Sequence, residues 1–400
     1  MTQTMDFLIV GTGIIGINLA LELRRRYPRA SIRLIEKESF AGAHASGRNS
    51  GVLHAGLYYP ADSLKARFAR DGNHIMTLYC QERGLRINRC GKLVVAVDEK
   101  DLEGLKVLQS RAQANGVELE LLNPITAQTR YPELKKPLAV LYSPTTATVD
   151  PREVLSSLIQ EAVHLGVDIR YQCPYLGRNR NGIRVGQDLV ECGYFINAAG
   201  LYADHIATDF GFAKDVAIVP FKGLYLKYSG NADPISTNIY PVPDLNNPFL
   251  GVHYTVTVDG KLKIGPTAIP AFWREHYHGI SRFKPLEMVD ILFRQGKLFK
   301  NNHFGFRRLA FQEMAKMHKG TMLRLASRLA HLPGPVEAWQ WGPAGIRAQL
   351  IRKSDCSLMM DFHFEGDSHS FHVLNAISPG FTCALPFSRF LCDRITSLMT

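Results

Sequence analysis

Short apolar runs and one amphipathic segment open the chain. Residues 7–10 (Phe-Leu-Ile-Val) form an uninterrupted apolar run, which is typical of a β-strand buried on both faces. Apolar positions then recur with helical spacing from about Ile14 to Arg26, and Pro28 ends this pattern. A second apolar run follows at residues 32–35. The chain is therefore predicted to begin with a β-α-β unit.

The same patterns predict elements further along the chain. Residues from about 149 to 214 return to alternating strands and helices, whereas residues from about 215 to 334 hold successive strands and then a helical stretch. Individual strands are expected at 92–97, 195–197 and 371–376, and helices at 102–114 and 382–399.

A glycine-rich turn joins the first predicted strand to the first predicted helix. It reads Gly11-Thr12-Gly13-Ile14-Ile15-Gly16, and Glu36 follows 20 residues after Gly16. In this context Gly11 allows a tight turn, Gly13 lets the backbone approach a pyrophosphate, and Gly16 lets helix and strand pack closely. Glu36 is expected to accept hydrogen bonds from an adenosine ribose. The pattern predicts a dinucleotide site; a glycine-rich turn that binds nothing is the alternative.

No second G-x-G-x-x-G motif occurs in the chain. One dinucleotide site leaves two options, a nicotinamide enzyme or a flavoenzyme whose second substrate is small. Two other segments favour a flavin. The run Asn197-Ala198-Ala199-Gly200 lets the chain pass close to a cofactor, and the helix after Ser378-Pro379-Gly380 offers its positive end to the flavin's pyrimidine edge. An ordinary strand-to-helix turn and a helix packed on the sheet are the respective alternatives.

A longer run of residues carries a family resemblance. The segment HASGRNSGVLHAGLYY, from His44 to Tyr59, resembles the segment after the second strand in L-2-hydroxyglutarate dehydrogenases and oxidases, which are FAD enzymes of the D-amino-acid-oxidase-like superfamily. The resemblance continues in order along nearly the whole chain, through Cys90–Ala96, Ala199–Tyr202, Val219–Gly223, Ile239–Asp244 and Gly342–Gln349.

The resemblance implies a fold and a reaction. The fold is α/β, with a Rossmann-type FAD-binding domain (1–85, 149–214 and 335–400) interleaved with an α+β substrate-binding domain (86–148 and 215–334) built on a mixed or antiparallel sheet. The reaction is the oxidation of L-2-hydroxyglutarate to 2-oxoglutarate by hydride transfer to flavin N5. Electrons then pass to a quinone, to oxygen or to an electron-transfer protein. No cysteine lies in a motif for a covalent flavin link, so FAD is expected to bind noncovalently, and no metal is expected.

The motifs and the resemblance together give a set of residues expected to bind the cofactor. They are Gly11, Gly13, Ile14, Ile15, Gly16, Glu36, Lys37, Ser46, Asn49, Ser50, Gly51, Ala199, Gly200, Gly345, Arg347, Pro379, Gly380, Phe381 and Thr382.

Oxidation of a 2-hydroxy acid needs a base near the hydroxyl group. A histidine suits this role because its unperturbed pKa lies near neutrality. His54, inside the resembling segment, is the first candidate and His253 is the second; a structural histidine is the alternative for each. A small dicarboxylate substrate also needs cationic and hydroxyl donors. The candidates are Arg347, Lys222, Tyr58, Tyr59 and Tyr240.

The sequence departs from the family pattern at several of these positions. Lys222 stands where an arginine is usual, Arg48 where a histidine is usual, and Thr267 where an asparagine is usual. Pro379-Gly380-Phe381 replaces Pro-Ala-Ala before the last helix. Lysine lacks the bidentate fork with which arginine binds a carboxylate, so the departures bear on substrate and rate.

Composition and charge bear on the partners and the location of the protein. The 400 residues carry a formal net charge of +11, and ten Lys/Arg against three acids fall between residues 284 and 328. Interleaved apolar residues make the segment at about 284–330 a candidate for contact with an anionic membrane; a solvated helical face is the alternative. No nucleic-acid motif accompanies the charge. Without a C-x-x-C pair, a signal-like start or an apolar run long enough to span a bilayer, we expect a cytoplasmic protein, or one peripheral on the cytoplasmic membrane face.

Three other functions are compatible with these patterns. An amino-acid or amine oxidase on the same fold would release ammonia or an amine. A flavin-binding membrane or partner protein with little catalysis is compatible with the altered 379–381 loop. A nicotinamide dehydrogenase would purify without a yellow chromophore.

Overall fold

The chain forms two compact units. The computed structural model describes residues 3–230, 235–244 and 251–400. The first unit comprises Met1–Asn49, Pro151–Pro220 and Arg347–Thr400, and the second comprises Ser50–Asp150 and Phe221–Ile346. The chain thus passes between the units several times, as an interleaved organisation requires.

The predicted elements at the start, middle and end of the chain are confirmed, with small shifts at their ends. The helices in the described residues are α1 Ile14–Arg26, α2 Leu64–Glu82, α3 Glu99–Ala114, α4 Pro124–Arg130, α5 Pro151–His164, α6 Ala203–Asp209, α7 Pro285–Asn301, α8 Phe306–Ala315, α9 Lys319–Ala326 and α10 Gly380–Met399. The helical stretch expected at about 284–330 is therefore present as α7, α8 and α9.

The strands of the described residues follow the same chain order. They are β1 Gln3–Val10, β2 Ile32–Ile35, β3 Val52–Leu53, β4 Ile87–Asn88, β5 Lys92–Ala96, β6 Glu120–Leu122, β7 Ala139–Ser143, β8 Ala147–Val149, β9 Asp168–Arg170, β10 Tyr175–Asn179, β11 Gly182–Val185, β12 Asp188–Asn197, β13 Val216–Gly223, β14 Leu226–Tyr228, β15 Asn238–Pro241, β16 His253–Val256, β17 Leu262–Gly265, β18 Ile269–Pro270, β19 Trp339–Trp341, β20 Gly345–Arg352, β21 His363–Gly366 and β22 Ser370–Asn375.

The first unit is built on a largely parallel sheet. Its main path runs β10-β11-β12-β1-β2-β9, and β22 joins β12 at the end of that strand. The pairs β1–β12, β1–β2, β2–β9 and β12–β22 are parallel. Phe7 to Val10 are all buried, as expected for a strand covered on both faces. Helix α1 packs against α5 and α10. These features are those of a Rossmann-type sheet.

The second unit is built on a mixed sheet whose two faces differ. The strand order is β19-β14-β17-β16-β15-β5-β7-β6, in which only β15 and β5 run parallel. Side chains alternate between the faces of a strand. One face carries Leu93, Val95, Ile239, Tyr254 and Ile264, and these residues share one apolar core with residues of α4 and α9. The opposite face is apolar where α3 covers β5 and β7 and polar elsewhere.

Residues 50–85 lie in the second unit, so the first boundary falls at Asn49 rather than near residue 85. The reason is strand pairing that the sequence pattern does not reveal. Strand β3 is only two residues long, and it pairs antiparallel with β8 of the second unit. Helix α2 packs on β3 and β4. The boundaries at residues 150 and 220 fall close to those expected at 148 and 214, whereas the last one falls at residue 346 rather than at 334.

None of the helices in the described ranges combines the length and apolar composition needed to cross a bilayer.

Candidate active site

The glycine-rich turn after β1 has no room for side chains. Gly11 has a φ of +103°, in the left-handed region that favours glycine, and a Cβ there would lie 2.6 Å from the carbonyl oxygen of Ala198. A Cβ on Gly16 would lie 2.0 Å from the carbonyl oxygen of Gly11. A Cβ on Gly13 would lie 3.0 Å from Ser46 Oγ. The backbone of the glycine turn therefore lies in direct contact with the start of α1 and with the backbone at Ala198.

The start of α1 is suited to an anionic group. Gly13 caps the helix and offers no side chain to accept from the amides of the first turn. Ile14 N–H donates to Ser46 Oγ at 2.9 Å, which places Ser46 beside the first helical turn. Free amides and the positive end of the helix dipole together favour a phosphate.

Glu36 lies at the end of β2, beside the same turn. Its carboxylate accepts from Thr12 N–H at 3.0 Å, from Thr12 Oγ1 at 2.7 Å and from Glu38 N–H at 3.0 Å. A carboxylate has about four lone-pair sites, so it retains acceptor capacity for a ribose hydroxyl. The cradle for the pyrophosphate and the acceptor for the ribose are both present, and the residues of the first unit fit a dinucleotide.

The remaining cofactor candidates of the first unit occupy nearby loops and helix ends. Lys37 pairs with Glu38, and its Nζ lies 5.5 Å from the centre of the Tyr202 ring, next to the Ala199-Gly200 turn. Asn49 Nδ2 donates to the Ser46 carbonyl oxygen at 2.8 Å.

The last group of candidates lies in the C-terminal third of the chain. Arg347 is partly buried on β20, and Pro379, Gly380, Phe381 and Thr382 form the start of α10. Gly380 N–H donates to the Ile377 carbonyl oxygen at 2.9 Å, which shapes this turn.

In the second unit, one row of polar residues crosses the large sheet. Strand register places Lys92 opposite Ser143 on one side and opposite Asn238 on the other. The antiparallel pairing of Ile239 with Tyr254 places Asn238 opposite Thr255, and Thr255 is opposite Lys263. The row therefore runs across five strands on the face that the apolar core leaves uncovered.

The next row of the same face holds His253 and Tyr240. Their rings stack with centres 3.7 Å apart and an interplanar angle of 15°. His253 Nδ1 lies 2.8 Å from the carbonyl oxygen of Gly251. A carbonyl oxygen can only accept, so Nδ1 carries a proton and the neutral ring presents Nε2 as its basic nitrogen.

The loop after β3 carries His54, Tyr58 and Tyr59. His54 and Tyr58 are buried, and Tyr59 is partly buried. Helix α3 holds the loop: Asn115 Nδ2 donates to the carbonyl oxygens of Gly56 and Tyr59, and Arg111 Nη1 donates to that of Tyr58 at 2.7 Å. Tyr58 and Tyr240 are brought to the same face, because both rings lie around Lys92.

Two departures from the family pattern contact each other. Lys222, on β13, is largely buried, and its carbonyl oxygen accepts from Thr267 Oγ1 at 3.1 Å. The same hydroxyl accepts from Leu224 N–H at 3.0 Å. Thr267 follows β17, whose Gly265 is opposite His253. A threonine at 267 thus fixes the backbone that carries the Lys222 ammonium group.

Ser50 and Gly51, expected to bind the cofactor, begin the second unit. Lys263 Nζ donates to the Ser50 carbonyl oxygen at 3.1 Å, and Val149 N–H donates to that of Gly51 at 2.9 Å. Gly345, the third such residue of this unit, begins β20.

Burial governs the electrostatics of this face. Desolvation lowers the pKa of Lys92 to about 7. Desolvation, with the nearby Lys227 charge, lowers the pKa of Lys263 to about 8, although Asp150 opposes the shift. Burial also lowers the pKa of Lys222 and raises that of Tyr240 well above its usual value. These shifts mark a water-poor surface on which Lys92, Lys222 and Lys263 hold their protons less readily than in water, so a bound anion would favour their charged forms.

Sequence reasoning missed Lys92, Thr255 and Lys263. Each lies in a short strand whose neighbours are apolar, so each resembles an ordinary strand-end polar residue. The alternation of Lys263 with the apolar Leu262 and Ile264 was the available signal for that residue, whereas Lys92 precedes an unbroken apolar run and has no such signal.

Known proteins resemble this chain over nearly its full length. A family model described as DAO, FAD dependent oxidoreductase, matches residues 6–394. The L-2-hydroxyglutarate dehydrogenase of Escherichia coli (strain K12) is 35% identical over 98% of this chain and 94% of that protein. The mitochondrial L-2-hydroxyglutarate dehydrogenase of Homo sapiens is 32% identical over 98% and 89%, respectively.

Solved structures share the fold. L-α-glycerophosphate oxidase from Mycoplasma pneumoniae, with FAD bound, matches with a TM-score of 0.78 at 22% identity, covering 99% of this chain and 95% of that one. Glycine oxidase from Geobacillus kaustophilus matches with a TM-score of 0.71 at 17% identity, covering 100% and 96%. The predicted fold class is confirmed.

The glycine turn gives a direct test of cofactor binding. Replacing Gly16 with alanine drives a methyl group against the Gly11 carbonyl, so we expect G16A to purify with less than about one tenth of the wild-type FAD content. The measurement is the ratio of absorbance at the flavin band to that of the protein. G296A, in the middle of α7, meets no atom within 4 Å and is the matched control. Full FAD occupancy in G16A would contradict this account of the turn.

Proposed function

The chain belongs to the DAO family of FAD dependent oxidoreductases, and from this premise we propose that it oxidises L-2-hydroxyglutarate to 2-oxoglutarate. The relatives that bear the name L-2-hydroxyglutarate dehydrogenase match almost the whole chain. The observation that carries the proposal is the cation-lined, water-poor sheet face on which His253 presents a basic nitrogen. A dianionic substrate whose hydroxyl must lose a proton matches both properties.

The reaction removes a hydride from the substrate α-carbon and a proton from its hydroxyl group. FAD, held noncovalently at the glycine turn, supplies the hydride acceptor. His253 Nε2 is the base in this proposal, because the Gly251 carbonyl fixes the proton on Nδ1 and the Tyr240 ring fixes the plane of the imidazole. His54 stays the other candidate for this role.

Cationic side chains hold the two carboxylates. Lys222 supplies one ammonium group, and Thr267 holds its backbone in place. Arg347 and the phenols of Tyr58, Tyr59 and Tyr240 are the further donors in this proposal. Lysine binds a carboxylate as a point charge, so the orientation of the substrate depends on the remaining donors more than it would with arginine at 222.

We propose that the electrons leave to a quinone while the protein lies on an anionic membrane. Helix α7 exposes Leu286, Val289 and Phe293, which recur at helical spacing on one face. Lys297 shares this face, with its Nζ 5.0 Å from the centre of the Phe293 ring. Phe311 of α8 is exposed as well. An apolar stripe flanked by lysines is complementary to acyl chains below anionic headgroups. Oxygen and an electron-transfer protein are the competing acceptors.

Product analysis tests the substrate assignment. With an artificial electron acceptor, the protein is expected to form 2-oxoglutarate from the L isomer of 2-hydroxyglutarate and not from the D isomer. L-Glutamate is expected to yield no ammonia. Ammonia release from amino acids, with no product from the hydroxy acid, would show an amino-acid oxidase instead.

Substitution of the two histidines tests the choice of base. H253N retains an N–H donor for Gly251 but has no basic nitrogen, so we expect the limiting rate of flavin reduction to fall about 100-fold or more, with FAD content unchanged. H54N serves as the comparison, and its limiting rate of flavin reduction is expected to fall much less. The opposite ranking of the two variants would assign the base to His54.

Vesicle sedimentation tests the membrane proposal. Replacing both Leu286 and Phe293 with glutamate is expected to lower partitioning onto phosphatidylglycerol vesicles by at least about tenfold, because each change removes apolar contact and adds repulsion. Activity with a water-soluble acceptor should not change. I125E, at an exposed apolar position of α4, is the matched control. Equal binding of the double variant would rule the stripe out, and equal binding of the wild type to uncharged vesicles would rule out a role for anionic headgroups.

A further inference from the structure

Lys92 is a fully buried lysine in an unusual setting. It begins β5, and its relative exposure is 0%. Among the described residues, no hydrogen-bond acceptor partners its Nζ. Lysine is almost never fully buried unless it is paired, since an ammonium group without a partner loses its hydration uncompensated. Some other interaction must therefore account for its place on this face.

Two tyrosine rings supply that interaction. The Lys92 Nζ lies 4.5 Å from the centre of the Tyr58 ring and 5.3 Å from that of Tyr240. Both distances fall within the range of cation–π attraction, which strengthens when the cation is desolvated. The rings come from different parts of the second unit, Tyr58 from the loop held by α3 and Tyr240 from β15. The Lys92 ammonium group therefore lies against both rings.

Tyr240, whose ring lies against Lys92, also contacts His253. Its ring stacks on the imidazole at 3.7 Å, nearly parallel. The contact between Nδ1 and the Gly251 carbonyl does not by itself fix the plane of the imidazole, and the stacked Tyr240 ring restrains that plane. The plane of the imidazole therefore depends on where the Tyr240 ring is held.

We propose that Lys92 is a positioning residue for the oxidation: its ammonium group clamps the Tyr58 and Tyr240 rings and thereby holds His253 with Nε2 directed at the substrate hydroxyl. The inference rests on the proposed function, with His253 as the base. Lys92 itself touches neither substrate nor cofactor in this account.

Stability alone does not explain a lysine at this position. Replacing a buried charged group with an apolar side chain of similar volume is often neutral or stabilising. K92M keeps the length of the side chain and removes the charge. A purely structural role predicts an unchanged rate in K92M, whereas a positioning role predicts a slower rate in a protein that is at least as stable.

The experiment is anaerobic stopped-flow reduction of the flavin by L-2-hydroxyglutarate in the FAD-loaded protein. For K92M we expect the limiting rate to fall about 10- to 100-fold, while the substrate Kd changes less than about threefold, because only the orientation of the base is lost. K92R retains a cation that can stack on both rings, and it is expected to recover part of the rate. FAD content and the melting temperature report on folding.

Arg130 provides the matched control. Its guanidinium also lies over two tyrosine rings of the second unit, 5.4 Å from Tyr131 and 4.6 Å from Tyr142. Both rings belong to the apolar core on the other face of the sheet. R130M removes a cation–π contact on that face, together with an exposed ion pair to Glu120, and is expected to leave the rate unchanged.

A double variant tests whether Lys92 acts through Tyr240. Y240L removes the ring on which His253 stacks. If Lys92 works through that ring, adding K92M to Y240L lowers the rate by less than about twofold further. If the reduction rate of the double variant instead falls by the product of the two single losses, Lys92 does not act through Tyr240 and this part of the proposal is overturned.

The pH dependence of stability supplies a second readout. Burial lowers the pKa of Lys92 to about 7 in the folded protein, so the ammonium clamp is present below about pH 7, and the rate comparison with K92M is made there. At higher pH the unfolded chain binds the extra proton, and the wild type gains stability as pH rises from about 7 to about 10. The groups facing it, Tyr58 and Tyr240, have raised pKa values. The melting-temperature advantage of K92M should therefore shrink over this range. An unchanged reduction rate in K92M would overturn the inference, whereas failure of the wild type to be reduced would instead overturn the proposed function.

Discussion

The cost of removing an ammonium group from water shapes the second unit. A β-sheet presents alternate residues to its two faces, so apolar and cationic residues that alternate along a strand lie on opposite faces. In this sheet the apolar set packs under α4 and α9, and the cationic set, with Lys92 and Lys263, lies on the other face. Desolvation there lowers both lysine pKa values. An anionic ligand bound on this face would favour the protonated form of both lysines.

The first unit depends on a different constraint, the closeness of backbone segments. Gly11 and Gly16 leave no space for a Cβ, because the Ala198 and Gly11 carbonyl oxygens lie against them. This closeness places the amides at the start of α1 beside Glu36 at the end of β2. Neither feature alone distinguishes a dinucleotide site from an ordinary turn, and here the two occur together, with Ser46 accepting from Ile14 N–H beside them.

The sequence predicts what is local and misses what depends on pairing between distant strands. The opening β-α-β unit follows from a glycine turn, a helical period and Pro28, all within a few residues of one another. The polar row of the second unit joins strands from residues 92 to 263, and its register has no local signature.

Two further features also lay beyond local pattern. Residues 50–85 join the second unit through the two-residue strand β3, which is too short to show periodicity. The tautomer of His253 depends on one carbonyl contact that only the folded chain makes. The family resemblance supplied the remaining candidates, and most of their roles stay predictions.

The most direct test of the central claim is an anaerobic absorbance spectrum of the purified protein near 450 nm, before and after addition of L-2-hydroxyglutarate. The account predicts a yellow protein whose flavin band bleaches with the L isomer and not with the D isomer. A yellow protein that stays oxidised with both isomers, yet bleaches with an amino acid, would contradict it.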